Sequence, residues 1–359
     1  MKAILILQDG FIFRGESFGV QGEQAGKVVL NTAVVGYQEM LTDPANAGRI
    51  LTLTYPLIGN YGVAPKFNES KKAWVSGLVI KEKSRMSSNW QAKGGIDDFM
   101  VEQNIVGITG IDTRTLAVHI REKGELLGVI STRTFEPKEL LSKMEAFGAK
   151  TSSSVLPQIS VSKITHLDGA KKKSTARVAI LDLGITNGII EQLQALGFSL
   201  TLFPYNTAPQ EILTHKFDGL IISNGPEEDP GLDIVAQNIK GLIGKIPIMG
   251  ISTGHQVLAK SQGARVTKMK LGHRGVNYPI YNPPSYKGEI TVQNHSCVVD
   301  ADSLLKIKNI KITAYNLNDR TVEEMESKRL KILGVQYYPS SPGFDEINSA
   351  FQKFSKMLN

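Results

Sequence analysis

The stretch Ile246-Pro247-Ile248-Met249-Gly250-Ile251-Ser252-Thr253-Gly254-His255-Gln256 decides the fold. Residues 246–251 form a compact apolar run of strand length, and residues 254–261 read as a helix. Glycine on both sides of the junction lets the strand turn sharply into the helix and exposes the middle side chain, Ser252. Such a turn also aims the first N–H groups of the helix at whatever that side chain holds. A Gly-x-Ser-x-Gly pattern is common by chance; the strand before it and the helix after it give it weight.

Upstream of this elbow the rhythm is strand, helix, strand. Residues 178–183, 200–203 and 219–222 are apolar runs, separated by a helix over 188–196 that stops at Gly197 and a helical turn over 209–215. A helix over 233–243 leads to the elbow strand, and 290–299 and 330–337 are later strands. Apolar strands alternating with helices predict an α/β domain, 177–359, with a mostly parallel sheet covered on both faces. Ligands in such sheets sit past the carboxyl ends of the strands.

Residues 151–176 read as a linker, with Thr151-Ser152-Ser153-Ser154 at one end and Lys171-Lys172-Lys173 near the other. Small polar residues and like charges bury too little area to offset the entropy of ordering, though the segment leaves room for a short strand. Residues 1–150 have a different texture, with short strands at 2–7, 11–13, 28–30, 50–54 and 73–80. Helices are expected at 94–103, 114–122 and 137–146, which makes this an α+β domain.

Composition fits this division. At about 150 residues per domain, a chain of 359 residues holds two domains. An apolar share of 41% with 21% charged residues excludes disorder. One cysteine excludes a disulfide framework and any multi-cysteine metal site. The net charge of +7 is spread out, with one dense basic run at 171–173, so a soluble lysine-rich protein is expected rather than a nucleic-acid binder. No window approaches the ~18 consecutive apolar residues of a membrane span. The N-terminal apolar run meets Gln8 and Asp9 too soon for a signal peptide, so a cytoplasmic protein is expected. The histidines are scattered without metal-ligand spacing, and no metal is expected.

The chemistry at the elbow is less straightforward. A serine hydroxyl needs a neighbouring base, which in these folds lies on the turn after a late strand. That turn reads Tyr338-Pro339-Ser340 and contains no histidine. A tyrosine of pKa about 10 is roughly 0.1% ionised at pH 7, a poor general base. A second turn, Ser223-Asn224-Gly225-Pro226-Glu227-Glu228-Asp229-Pro230, has backbone N–H groups suited to an oxyanion, but Glu227 and Glu228 oppose that use. Taken by itself it reads as a surface turn with solvated acids. Cys297 reads as a buried free thiol.

These residues carry a resemblance. Gly250-Ile251-Ser252-Thr253-Gly254-His255-Gln256 resembles the Gly-Ile-Cys-Leu-Gly-His-Gln elbow of class I glutamine amidotransferases. More narrowly, the chain is similar over roughly residues 1–357 to the small subunits of carbamoyl phosphate synthetases. Asn31-Thr32-Ala33-Val34-Val35-Gly36-Tyr37-Gln38-Glu39-Met40-Leu41-Thr42-Asp43-Pro44 and Leu51-Thr52-Leu53-Thr54-Tyr55-Pro56-Leu57-Ile58-Gly59-Asn60-Tyr61-Gly62 resemble that family's N-terminal signatures. Gly110-Ile111-Asp112-Thr113-Arg114, Lys268-Met269-Lys270-Leu271-Gly272-His273-Arg274-Gly275 and Gln293-Asn294-His295 fit as well.

The resemblance implies a small-subunit-specific N-terminal domain followed by an amidotransferase domain. It implies glutamine hydrolysis through a cysteine thioester, with ammonia passed to a large subunit that makes carbamoyl phosphate for arginine and pyrimidine synthesis. ATP, bicarbonate and magnesium then belong to that large subunit, and no cofactor to this chain.

Position by position, the family's catalytic pattern is altered. Ser252 stands at the nucleophile cysteine, Tyr338 at the histidine and Ser340 at the glutamate. The glutamine-pocket positions implied by the resemblance are Ala45, Gly225, Glu227, Thr253, Gln256, Asn294, Ser296 and Cys297. Among them, Ala45 replaces a serine, Glu227 stands where the loop's second glycine belongs, with one extra residue, and Ser296-Cys297 replace Gly-Phe. Loss of one triad member can remove on the order of 10⁶ in turnover. The expectation is therefore a small subunit without its own glutaminase, supporting an ammonia-dependent large subunit. Two other readings compete: a stand-alone binding or regulatory protein with a remodelled pocket, and a serine hydrolase using Ser252.

Overall fold

The computed structural model describes residues 1–150, 153–167, 175–283, 285, 287–341, 343 and 346–358. The chain forms two compact units, Met1–Ser153 with Lys270–Arg274, and Ser154–Met269 with Gly275–Asn359. The basic run at 171–173 lies outside the described residues.

The first unit contains the strands β1 (Lys2–Leu7), β2 (Ile12–Gly19), β3 (Glu23–Asn31), β4 (Arg49–Leu53), β5 (Leu57–Ile58), β6 (Gly77–Val79), β7 (Glu82–Lys83), β8 (Val106–Thr109) and β9 (Leu127–Ser131). Seven of them close a barrel in the order β1-β2-β8-β6-β4-β3-β9, while β5 and β7 pair separately. Strand β1 is covered on both faces, which is why its sequence is a continuous apolar run rather than an alternation. Ala3, Leu5 and Leu7 join a core to which every barrel strand contributes. Ile4 and Ile6 pack with Val129 of β9 and with Leu140 and Met144 of the helix Pro137–Lys150. The helices expected near 94–103 and 114–122 are present as Ile96–Glu102 and Thr113–Lys123.

The two long N-terminal signatures meet in this unit. The helix Tyr37–Thr42 has no side-chain cap, because Gly36 at its start, in a left-handed conformation, has no side chain to offer. The phenol oxygen of Tyr61 takes that role, accepting the N–H groups of Gly36 at 2.7 Å and Tyr37 at 3.1 Å. Burial pushes the Tyr61 phenol up to about 12 and so keeps it neutral. Gln38 clamps the backbone of Ala64, donating to its carbonyl at 2.8 Å and accepting its N–H at 2.9 Å. Arg274 Nη1 meets Glu125 Oε1 at 2.5 Å, with both side chains 1% exposed.

The second unit is built on a ten-stranded sheet. Its strands are β10 (Thr165–Leu167), β11 (Ala176–Asp182), β12 (Phe198–Pro204), β13 (Gly219–Ile222), β14 (Ile248–Ile251), β15 (Val266–Asn282), β16 (Lys287–Val299), β17 (Lys311–Asn316), β18 (Val322–Ser327) and β19 (Ile332–Val335). Their order is β10-β12-β11-β13-β14-β19-β18-β17-β15-β16. The run β12-β11-β13-β14-β19 is parallel. Alternate residues of β11 serve two cores: Ala179 and Leu181 pack with Val257 and Leu258, while Val178 and Ile180 pack with Phe351 and Phe354. The sheet is thus covered on both faces, as the apolar runs require.

Two findings differ from the expected layout. The parallel half is extended by antiparallel strands, with β18 joining β19 and β17 joining β18. The residues of β18, Val-Glu-Glu-Met-Glu-Ser, look exposed by composition, yet Glu323 and Glu324 are buried against polar partners. Glu323 accepts hydrogen bonds from Gln293 and Asn316, and Glu324 from Tyr337 and Lys353. The described part of the expected linker 151–176 is also packed structure. Leu156 is fully buried in the core, and β10 pairs with β12. Asp229 supplies what the composition of that segment lacks, accepting from Ser154 Oγ at 2.6 Å and Val155 N at 2.7 Å.

Candidate functional site

The elbow forms as the glycine spacing predicts. Strand β14 leads into Ser252, whose backbone lies at φ 51° and ψ −110°, outside the regions that L-residues favour. The helix Thr253–Ser261 follows directly. A Cβ on Gly250 would lie 2.5 Å from the carbonyl oxygen of Gly254, and one on Gly254 would lie 2.1 Å from that of Ile222. The N–H of Ser252 donates to Val335 at 2.8 Å, which anchors the turn to the end of β19.

Ser252 is 1% exposed. Among the described residues, no histidine or carboxylate hydrogen-bonds its hydroxyl. The nearest histidine in sequence, His255, is fully buried against Gly334, where a Cβ would lie 2.4 Å from its Nδ1. Burial drives the His255 imidazole down to about 3, so it is neutral and a feeble proton acceptor.

The other two positions of the expected triad, Tyr338 and Ser340, lie on the turn after β19. Tyr338 is held by its backbone, its N–H donating to Val292 at 2.9 Å. Ser340 is exposed, and its hydroxyl turns back to the carbonyl of Tyr338 at 3.5 Å instead of orienting the phenol. The strongly perturbed tyrosine is its neighbour Tyr337, which donates to Glu324 at 2.6 Å. Burial and the adjacent Glu324 hold that phenol well above its ordinary range. It packs in the core with Phe351 and Phe354.

The loop after β13 corrects the reading of a surface turn with solvated acids. Glu228 alone is exposed, in an ion pair with Lys268 at 3.1 Å. Glu227 and Asp229 are both buried. A Cβ on Gly225 would lie 2.0 Å from the carbonyl oxygen of Leu183, and the Gly225 carbonyl accepts the hydroxyl of Thr253 at 2.6 Å. Glu227 reaches the segment after Asn294: Oε2 accepts Ser296 N at 2.5 Å, and Oε1 accepts Cys297 N at 3.0 Å. Gln256, one helical turn past Ser252, completes the set by donating Nε2 to Glu227 Oε1 at 2.7 Å. Three neutral N–H donors thus converge on one carboxylate, an arrangement suited to an anion.

Gly225, Glu227, Thr253, Gln256, Ser296 and Cys297 therefore come together around the elbow. Asn294 is half-buried on β16, and Cys297 is a buried free thiol. Ala45 lies in the N-terminal unit, in the turn Pro44–Asn46, where its N–H donates to Asp43 at 2.9 Å. Reading the sequence missed the side-chain amide of Asn224, which is buried without a hydrogen-bond partner among the described residues. Its place between Ser223 and Gly225 at the end of β13 was the available signal. No helix among the described residues is long and apolar enough to cross a membrane.

Comparison with known proteins identifies both units. Residues 5–130 match the family described as carbamoyl-phosphate synthase small chain, CPSase domain, and residues 179–356 match glutamine amidotransferase class-I. A carbamoyl phosphate synthase small chain of Clostridium acetobutylicum is 40% identical over 355 residues, covering 99% of each chain. One from Syntrophotalea carbinolica is 38% identical, covering 100% of this chain and 98% of that protein. The carbamoyl phosphate synthase pyrimidine-specific small chain of Bacillus subtilis is 37% identical, covering 100% of this chain and 96% of that protein. With an intact elbow, an N-terminal barrel and relatives matched end to end, the chain belongs to the carbamoyl phosphate synthase small chain family.

Proposed function

We propose that this small chain does not hydrolyse glutamine and instead supports a large subunit that uses free ammonia. The observation that carries this reading is the unassisted hydroxyl of Ser252. Amides are poor acyl donors to a neutral hydroxyl, and no base among the described residues is hydrogen-bonded to it. The exposed Ser340 adds support, since its hydroxyl faces the backbone carbonyl of Tyr338 and a neutral serine is a poor orienter of a proton-transfer partner. The chain's contribution is then coupling: a docked surface shifts the large subunit toward its active form without chemistry of its own. The N-terminal unit, whose signatures match the family's pattern, is the proposed docking surface.

In this reading ATP, bicarbonate and magnesium are handled by the large subunit, and no cofactor binds this chain. The complex works in the cytoplasm, in pyrimidine or arginine synthesis; the pyrimidine-specific name of the Bacillus subtilis relative makes pyrimidines the first branch to test. The test is to purify the chain with its large subunit and compare glutamine with ammonium as nitrogen donor. Synthesis with ammonium alone is expected. Glutamine-driven synthesis that is lost in Ser252→Ala would refute the proposal. A serine hydrolase would label at Ser252 with a fluorophosphonate probe; no labelling is expected.

A further inference from the structure

We propose that the N–H groups of Ser296 and Cys297, with Nε2 of Gln256, form a carboxylate-binding nest that the chain fills with its own Glu227, closing it to the carboxylate of a free amino acid. Two consecutive backbone N–H groups aimed at one anion are a recurrent anion cradle. Here they reach the two oxygens of one carboxylate at 2.5 and 3.0 Å. The third donor has a fixed orientation. Gln256 Nε2 also faces the carbonyl of Cys297 at 2.9 Å and Gln336 Oε1 at 3.3 Å, so turning its amide over would set oxygen against oxygen.

The location argues for a ligand place rather than a simple tether. The nest adjoins the first turns of the helix that follows Ser252, and the loop bearing Glu227 is bound to the same helix through Thr253 and Gly225. Glu227 is only 8% exposed. Burying a carboxylate is costly unless donors await it, and two of the three donors here are main-chain groups, present whatever side chain stands at 227. A glycine at that position would leave the same donors open to an external carboxylate. The ligand class is therefore an α-amino acid or similar monocarboxylate, and the occupant in this chain is internal.

The inference deepens the proposed loss of glutaminase by explaining substrate exclusion, yet its test reads binding without turnover or a large subunit. The two can therefore fail separately. Calorimetric titration of the full chain with L-glutamine is expected to give no saturable binding for the wild type. Glu227→Gly is expected to bind L-glutamine at least about tenfold more tightly, and to lose that gain when the carboxylate is reduced to the alcohol in L-glutaminol. Equal affinity in wild type and variant, or a folded variant that binds neither probe, would overturn the proposal. Should Glu227→Gly not fold, amide NMR of the wild type decides. The Ser296 and Cys297 resonances should be unmoved by saturating L-glutamine, and a shift at both would overturn the closed nest.

Discussion

The N-terminal barrel and the C-terminal elbow use buried polar groups in opposite ways. In the barrel unit, Tyr61, Gln38 and the Arg274–Glu125 pair hold backbone or one another. At the elbow, Ser252 is held in a strained conformation, no histidine or carboxylate among the described residues hydrogen-bonds its hydroxyl, and the carboxylate of Glu227 takes the donors around it. The residues of the elbow that fit the family's pattern, Gly250, Gly254 and Gly225, shape backbone. Those that depart from it, Ser252, Tyr338 and Ser340, stand at the triad positions that the resemblance implies. On the proposed function, the fold keeps the geometry of a site while its chemistry is lost, because packing and proton transfer depend on different atoms.

The largest effect should come from the barrel side. Arg274→Ala removes the guanidinium that faces the buried Glu125 carboxylate and is expected to cost about 3–5 kcal/mol, read as the loss in denaturant-unfolding free energy. Replacing both residues by apolar ones of similar size should cost far less. A near-neutral Arg274→Ala would remove one pillar of the contrast.

The elbow side should respond to pH through His255. Its folded pKa, about 3, lies below its ordinary value because burial disfavours the charged form. The unfolded chain then binds the extra proton. Stability is full above the ordinary histidine pKa and falls as pH drops toward about 3, by at most about 1.4 kcal/mol per pH unit. Unfolding midpoints measured across that window should flatten in His255→Leu; an unchanged slope would place the pH dependence elsewhere.

Ser252→Gly sharpens the comparison further. Removing the side chain from a left-handed position should stabilise the protein by about 1–3 kcal/mol if nothing is lost in exchange. A rise in melting temperature without loss of ammonia-dependent synthesis is expected. The smallest effect is Tyr61→Phe, which removes the acceptor from two N–H groups at a helix start, for about 1 kcal/mol of stability.

Much of this was legible from residues. The elbow was, because two glycines at a fixed spacing between an apolar run and a helix admit few other structures. The doubly covered parallel strands were, because their runs are apolar at consecutive positions. Strand β18 was not, since three glutamates in six residues give no apolar pattern and only their partners on β16, β17 and the helix Ser349–Met357 account for the burial of Glu323 and Glu324. The segment 154–167 was not, since its order depends on Asp229, more than sixty residues away.

The amino-acid sequence by itself determined the family, the elbow and the absence of histidine from the turn after the last strand, because these rest on residue identity and short-range spacing. Only the tertiary structure decided where the acids of the 223–230 loop point. Solvated and buried carboxylates are spelled alike, and the difference between them lies in donors brought in from distant strands.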